Sequence, residues 1–478
     1  MRRATLFVLA LAVAAASAVA AAGGHAHVHD RESGPSGGAS ALVASGAQTD
    51  DAAPPERWNR TYGDAGEDTF ADVVRTEDGG FVLAGWTERG GDRDGWVVKV
   101  DASGDRQWTR TIGESGTDRL YGVVRTDSGF LLAGRSDRDG GARGWMLSLA
   151  PDGTTRADRT LGTGAFTAIA SGGSDGERYA FAGWTRTDAG VGGWLVAVDA
   201  RGNEEWERAY SAPDGYSSAR LKAVAPAPDG GYFLGGDASR DDSDAWALRV
   251  GPDGEPAWNR TRGGPGQEAI WAATRGQNSG VVLAGETERG GALDGWVLAY
   301  AADGSLAWSQ RYGGPERDWL DSAMAVDGGY LFTGGTLTGR VGSADGFVVK
   351  TADDGSVRWN RSYGSSAWDK PWPAVETRDG GYLLAGRTEG FGASGKDGWL
   401  LRLDSDGQSA GTDTASDETD GQSTTDAGGN DAGDGDGGES TSTATPSAAG
   451  RLADYTGVLG VAAAGVVAVL IWRRRYRK

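Results

Sequence analysis

The chain has 478 residues, 82 of them Gly and none Cys, so turns must be frequent, and disulfides, thiolate catalysis and Cys-ligated metals are excluded. Its formal charge is −20, with 67 Asp and Glu against 47 Lys and Arg, and only six of the basic residues are Lys. An acidic, Lys-poor surface fits a halophile's protein held in solution at high salt, and no basic face is clustered for nucleic acid.

Arg2 and Arg3 precede an apolar run from Ala4 to Ala22 that closes with small residues, "ASAVAAAGG". This reads as a signal peptide over 1–22, cleaved near Ala20 or Ala22, with a weak match to twin-arginine export. A flexible linker is expected over 23–56. It holds all three His of the chain, His25, His27 and His29, in "GGHAHVHD". Cleavage after Ala22 would leave Gly-Gly-His at the terminus, a Cu(II) chelator; the alternative is a solvated tail.

A repeat then begins. A Gly in "AGxT" or a variant recurs at Gly85, Gly134, Gly183, Gly236, Gly285, Gly334 and Gly386. "DGW" or a variant recurs at Trp96, Trp145, Trp194, Trp246, Trp296, Phe347 and Trp399. A third marker, "WxR", recurs at Trp58, Trp108, Trp206, Trp258, Trp308 and Trp359, with Ala157 in the third copy. The three markers keep one period and give seven units of about fifty residues. Each unit reads as four strands. In the first, "FADVVRT" ends at a "DGG" turn, and "FVLAGWT", the loop "ERGGDRD", "GWVVKVD", the turn "ASGD" and "QWTRTIG" follow. The fold expected over 57–404 is therefore all-β, a seven-bladed β-propeller of four-stranded blades. The last unit stops after its third strand, so the orphan "RWNRTYG" should complete it and close the ring. The Gly of "AGxT" is expected to admit a close backbone or ring, with Trp96 and its equivalents filling that gap.

Four Trp break the repeat: Trp271, Trp319, Trp368 and Trp372. They fall in the segments leading into inner strands, or early in those strands, in the fifth to seventh units. An acidic residue recurs beside them at Asp68, Asp118, Glu268, Asp318 and Asp369. Aromatic faces beside carboxylate acceptors suit carbohydrate, which offers apolar C–H faces and hydroxyl donors together. The plainer alternative is that the Trp plug the channel and the acids cap turns. Sequons stand at Asn59, Asn259 and Asn360, all at one place on the outer strand, which predicts N-glycosylation of an exported chain. With no His or Cys in the repeat, catalysis would need carboxylates, Tyr, Lys or a metal. The Asp-rich loops Asp92–Gly95 and Asp241–Asp244 could offer oxygens to Ca²⁺ but match no ligand loop, so no cofactor is predicted.

Residues 405–450 carry ten acidic residues, no basic ones and mainly Gly, Ser, Thr and Ala, the composition of an extended stalk. An apolar span follows over 451–472, long enough for one transmembrane helix, and then the basic tail 473–478. By the positive-inside rule that tail is cytoplasmic, with propeller and stalk outside the cell membrane.

The pattern "W-x-R-T-Y-G…T-x-D-G-G-F-V-L-A-G-W-T…D-G-W-V-V-K-V-D" resembles a repeat of secreted bacterial and archaeal surface proteins predicted to be propellers, and more broadly quinoprotein-like propellers. Some of the latter bind pyrroloquinoline quinone and oxidise alcohols. That activity does not carry over, because the vicinal Cys pair of many such dehydrogenases is impossible here. The anchored end resembles archaeal sorting tails, without their Pro-Gly-Phe tripeptide. Three functions follow as expectations: a membrane-anchored extracellular binding module for a surface polysaccharide or envelope protein, a carboxylate-dependent glycan-active enzyme, or a purely structural envelope component.

Overall fold

The computed structural model describes residues 58–409, apart from 65, 139, 173–177, 338–343 and 394. The expected leader, the linker with His25, His27 and His29, Arg57, the stalk beyond Ser409, the apolar span and the basic tail lie outside the described residues. Among the described residues no helix is long and apolar enough to cross a membrane.

The first blade shows how the sequence makes its sheet. The inner strand β2 (Asp68–Arg75) turns at Asp78–Gly80 into β3 (Phe81–Arg89), and β4 (Asp92–Val100) and β5 (Arg106–Ile112) follow. Gly79 takes φ +89°, and the Asp78 carboxylate accepts from the Thr76 hydroxyl and the Gly80 amide, which fixes the turn. β3 and β4 are almost wholly buried because a neighbouring blade covers each face, whereas β5 alternates exposed and half-buried residues at the rim. The expected loop "ERGGDRD" is much shorter than it reads. Gly90 and Gly91, at φ +64° and +94°, make a two-residue hairpin that pairs Arg89 with Asp92, and Gly290–Gly291 repeats it in the fifth blade.

Seven four-stranded antiparallel sheets form the ring. The seventh combines β26 (Asp369–Glu376), β27 (Tyr382–Thr388) and β28 (Asp397–Leu403) with β1 (Asn59–Tyr62), which pairs Asn59 with Leu401 and Tyr62 with Gly398. The N-terminal strand therefore closes the ring, as expected.

Each inner strand carries a β-bulge just after the point where the "AGxT" glycine crosses it. The extra residues are Ala71, Tyr121, Thr167, Lys222, Trp271, Asp321 and the pair Trp372–Pro373. At Gly85 a Cβ would collide with the Thr69 carbonyl at this bulge, so backbone and not Trp96 occupies the gap. The Trp rings lie elsewhere: Trp145 sits over Gly95, Trp194 over Gly144, Trp246 over Gly193 and Trp96 over Gly398, each on the "DGW" glycine of the preceding blade. Every one of these rings donates its indole N–H to a residue on the adjacent outer strand. Trp96 donates to Thr109 Oγ1 (2.9 Å), Trp145 to Asp158 (2.7 Å), Trp194 to Glu207 (2.7 Å), Trp246 to Asn259 Oδ1 (2.8 Å) and Trp296 to Ser309 (2.9 Å). Trp399 does so across the closure, to Asn59 Oδ1 at 2.7 Å.

The "WxR" rings stack on the outer turns of the following blade: Trp58 on Gly104, Trp108 on Gly153, Trp308 on Gly355 and Trp359 on Gly407. Where Ala157 replaces Trp, Gly202 meets only a Leu131 methyl. The last contact, with the hydrogen bond from Tyr363 to the Gly407 carbonyl, places the turn Asp404–Gln408 inside the propeller. The expected start of a stalk at Ser405 is thus corrected: these residues are pinned because the sixth blade packs on them.

Candidate functional site

The acidic residues at the inner-strand entries are structural. Asp68, Asp118, Glu268, Asp318 and Asp369 are all buried, at 3% exposure or less. Each accepts the backbone N–H four residues before it: Asp64 to Asp68 (3.0 Å), Glu114 to Asp118 (2.8 Å), Gly264 to Glu268 (3.2 Å), Gly314 to Asp318 (2.7 Å) and Ser365 to Asp369 (2.6 Å). The Thr of "AGxT" completes the cap, with Thr287 on Glu268 at 3.0 Å and Thr388 on Asp369. Their expected role as sugar acceptors is corrected, since the carboxylates are spent on the loop before their own strand.

The "DGW" Asp of one blade also faces the capping acid of the next. Asp94 and Asp118 both lie against Gly113, and Asp244 and Glu268 against Gly263. Burial first, and then the neighbouring charge of Asp118, holds the Asp94 carboxyl above its ordinary range; Glu268, beside Asp244, is raised in the same way.

The four Trp that break the repeat are brought together. The Lys222 ammonium lies 3.5 Å from the centre of the Trp271 ring, and the Trp271 indole N–H donates to Glu286 (3.4 Å). Glu286 faces Arg317 at 4.0 Å, and the Arg317 guanidinium lies over Trp319 at 5.7 Å. Trp319 donates to Asp321 (2.8 Å), which pairs with Lys370 at 2.9 Å. Lys370 lies 5.1 Å from the Trp319 ring and 4.6 Å from Trp372. Arg387 then covers Trp368 at 4.3 Å and Trp372 at 5.6 Å, and reaches Glu67 at 2.6 Å. One chain of cation–π contacts and ion pairs thus runs across the fourth to seventh blades. It lies near the end of the inner strands that carries the entry segments and the hairpins between second and third strands.

Trp319 is only 3% exposed, its ring laid on Gly335, so it cannot stack on a ligand as expected. Trp271, Trp368 and Trp372 are half-buried. The cations were missed in the sequence. Their signal was the scarcity of Lys: two of the six in the chain, Lys222 and Lys370, stand in this network.

Burial depresses the Lys370 ammonium, opposed by the facing Asp321 charge, and burial raises the Glu286 carboxyl. On the first blade Asp72 accepts from the Val73 amide (2.8 Å) and from the Val123 amide of the second blade (2.7 Å), and burial pushes its carboxyl up to about 7. A carboxyl raised in the fold stabilises fully below its unfolded value, and that contribution is lost as pH rises through the folded value. Urea unfolding at constant salt should therefore give falling stability between about pH 4 and pH 7, by at most about 1.4 kcal/mol per pH unit for this one group, and little further change above that. Asp72→Asn should flatten that slope; an unchanged slope assigns it to other groups.

Two concavities lie away from the Trp network. A groove of about 850 Å³ between the fourth and fifth blades is lined by Tyr216, Asp244, Glu268, Trp296 and Arg311. Another of about 510 Å³ at the opposite end is lined by Arg75, Arg125, Arg378 and Met324. Among the described residues no group of three or more His, Cys, Asp or Glu could hold a metal ion. The Trp network is preferred as the site because its residues depart from the repeat, whereas the larger groove is built mostly from repeat positions.

No family model and no curated protein matches the chain. Solved structures of similar shape include Sqt1 from Chaetomium thermophilum, 14% identical over 74% of this chain and 87% of that one, with a TM-score of 0.45. Sqt1 bound to the N-terminus of the ribosomal protein L10 is 13% identical over 73% and 100%, TM-score 0.45. The polysaccharide lyase Uly1 is 10% identical over 72% and 91%, TM-score 0.47. At these values the likeness carries nothing about ligand or activity. The chain is a seven-bladed β-propeller, a fold consistent with an interaction module.

Proposed function

We propose that the protein is an exported, membrane-anchored propeller that binds a saccharide at one mouth of its central channel, across blades five to seven. The observation that carries this is the convergence of Trp271, Trp368 and Trp372, half-buried and held from the side by Lys222, Lys370 and Arg387. Rings fixed in this way offer flat apolar area at little entropic cost, and the adjacent N–H donors suit hydroxyl or carboxylate oxygens. Trp58 at Gly104 and Ser409 after its turn lie on the turn-bearing face, opposite the Trp-bearing mouth. Binding is favoured over carboxylate catalysis because Asp321 is paired with Lys370 and Glu286 lies against Arg317, so neither is a free acid.

A glycan array probed with the propeller tests this. Trp372→Ala and Trp368→Ala should each weaken the captured glycan at least about 30-fold, the loss of a hot-spot contact, with unchanged melting. Full binding by both variants would remove the site. Trp319→Ala should behave differently and destabilise by about 3–5 kcal/mol, because it empties a buried position.

A further inference from the structure

The three sequons occupy one position in the repeat, but the structure does not treat them alike. That position is the indole acceptor. In six blades the "DGW" Trp donates to it, and two of the six acceptors are the sequon residues Asn59 and Asn259. In the sixth blade Phe347 replaces Trp and brings no N–H. Asn360 stands in the outer strand of that same blade, Val357–Tyr363, opposite Val349; it is exposed, as Asn259 is, but has no indole to serve. Its sequon partner Ser362 is exposed, as is Thr261 of the Asn259 sequon, so the acceptor position and not exposure separates the two sites.

We infer that Asn360 is the N-glycosylation site of this protein, and that Asn59 and Asn259 are structural residues that only match the motif. The inference rests on the export proposed above. An amide nitrogen is a poor nucleophile because its lone pair is delocalised into the carbonyl, so a transferase must grip and twist the whole side chain. An Asn whose oxygen is held by a buried indole N–H cannot be turned without leaving that N–H unsatisfied, at about 1–3 kcal/mol. Asn360 carries no such cost. The step joins Asn360 Nδ2 to the anomeric carbon of a sugar donor activated as a phosphate ester. The C–O bond to phosphate breaks, the phosphate leaves with the electron pair, and the amide proton passes to a base of the transferase.

The test uses the full chain purified from an exporting host that N-glycosylates, with glycopeptide mass spectrometry across all three sequons. Protease treatment of intact cells reports export separately. Glycan at Asn360, with Asn59 and Asn259 bare, is the expected result. Asn360→Gln and Ser362→Ala should each abolish the glycan and leave melting unchanged. Thr109→Asn creates a fourth sequon, Asn-Arg-Thr, opposite the Trp96 indole, and should stay unmodified. An exported chain bare at Asn360, or modified at Asn59, Asn259 or the engineered position, overturns the inference. A chain that never reaches the surface overturns the export reading, and this inference with it.

Discussion

Deleting residues 58–62 is expected to open the ring and to lower the melting temperature of the propeller by about 10 °C or more. The strand closes the seventh blade through four register pairs with β28 and holds groups on both sides of the seam. Asn59 accepts the Trp399 indole, the Trp58 ring covers the Gly104 turn of the first blade, and the Tyr62 hydroxyl donates to the Gly104 carbonyl at 2.5 Å. Without the strand, a buried indole N–H and the edge of β28 lose their partners together. Single changes should grade the effect. Asn59→Ala costs about 1–3 kcal/mol through the orphaned indole, and Tyr62→Phe about 0.5–1.5 kcal/mol for one hydrogen bond. A deleted chain that melts with the wild type would mean the ring does not depend on its closure.

The ring itself was legible because its markers recur with few exceptions: the described turns that need positive φ take Gly in all but the fifth blade, where Ser279 adopts φ +63°, and the gap between blades takes Trp except at Phe347. The same reasoning located the closing strand from a count of missing elements. What stayed hidden was set by partners that vary in identity. The acceptor of the indole N–H is Thr, Asp, Glu, Asn or Ser by blade, because any oxygen at that point serves, so no motif marks it. Three Asn there therefore read as sequons alone. The recurring acids were visible as a pattern but not in their direction. Only the fold shows Asp118 bent back onto the Glu114 amide instead of out to a ligand. The four exceptional Trp did come together, but their cations arrive from neighbouring strands, which periodicity within one unit cannot pair.

The center of that network gives the second large effect. Lys370 and Asp321 keep only 12% and 11% of their side-chain surface exposed and face each other at 2.9 Å. Asp321→Ala leaves the ammonium buried without its counter-charge and takes the acceptor from the Trp319 indole, a change that costs about 3–5 kcal/mol in comparable pairs. Burial already holds the Lys370 pKa below its ordinary value. For a depressed lysine the native chain binds fewer protons than the unfolded one between the two values, so the penalty is full below the folded pKa and fades as pH rises toward about 10.4. Removing Asp321 lowers that folded value further. The deficit of Asp321→Ala in urea unfolding should therefore shrink from pH 7 to pH 9.5, and a deficit constant over that range would mean that the charge is not its cause. The double variant Asp321→Leu with Lys370→Met should recover most of the stability, since an apolar pair needs no desolvated charge. It should not recover ligand binding, because the cation beside the half-buried Trp372 ring is gone. Stability restored together with full binding would show that the rings alone make the site and that Lys370 serves only the fold.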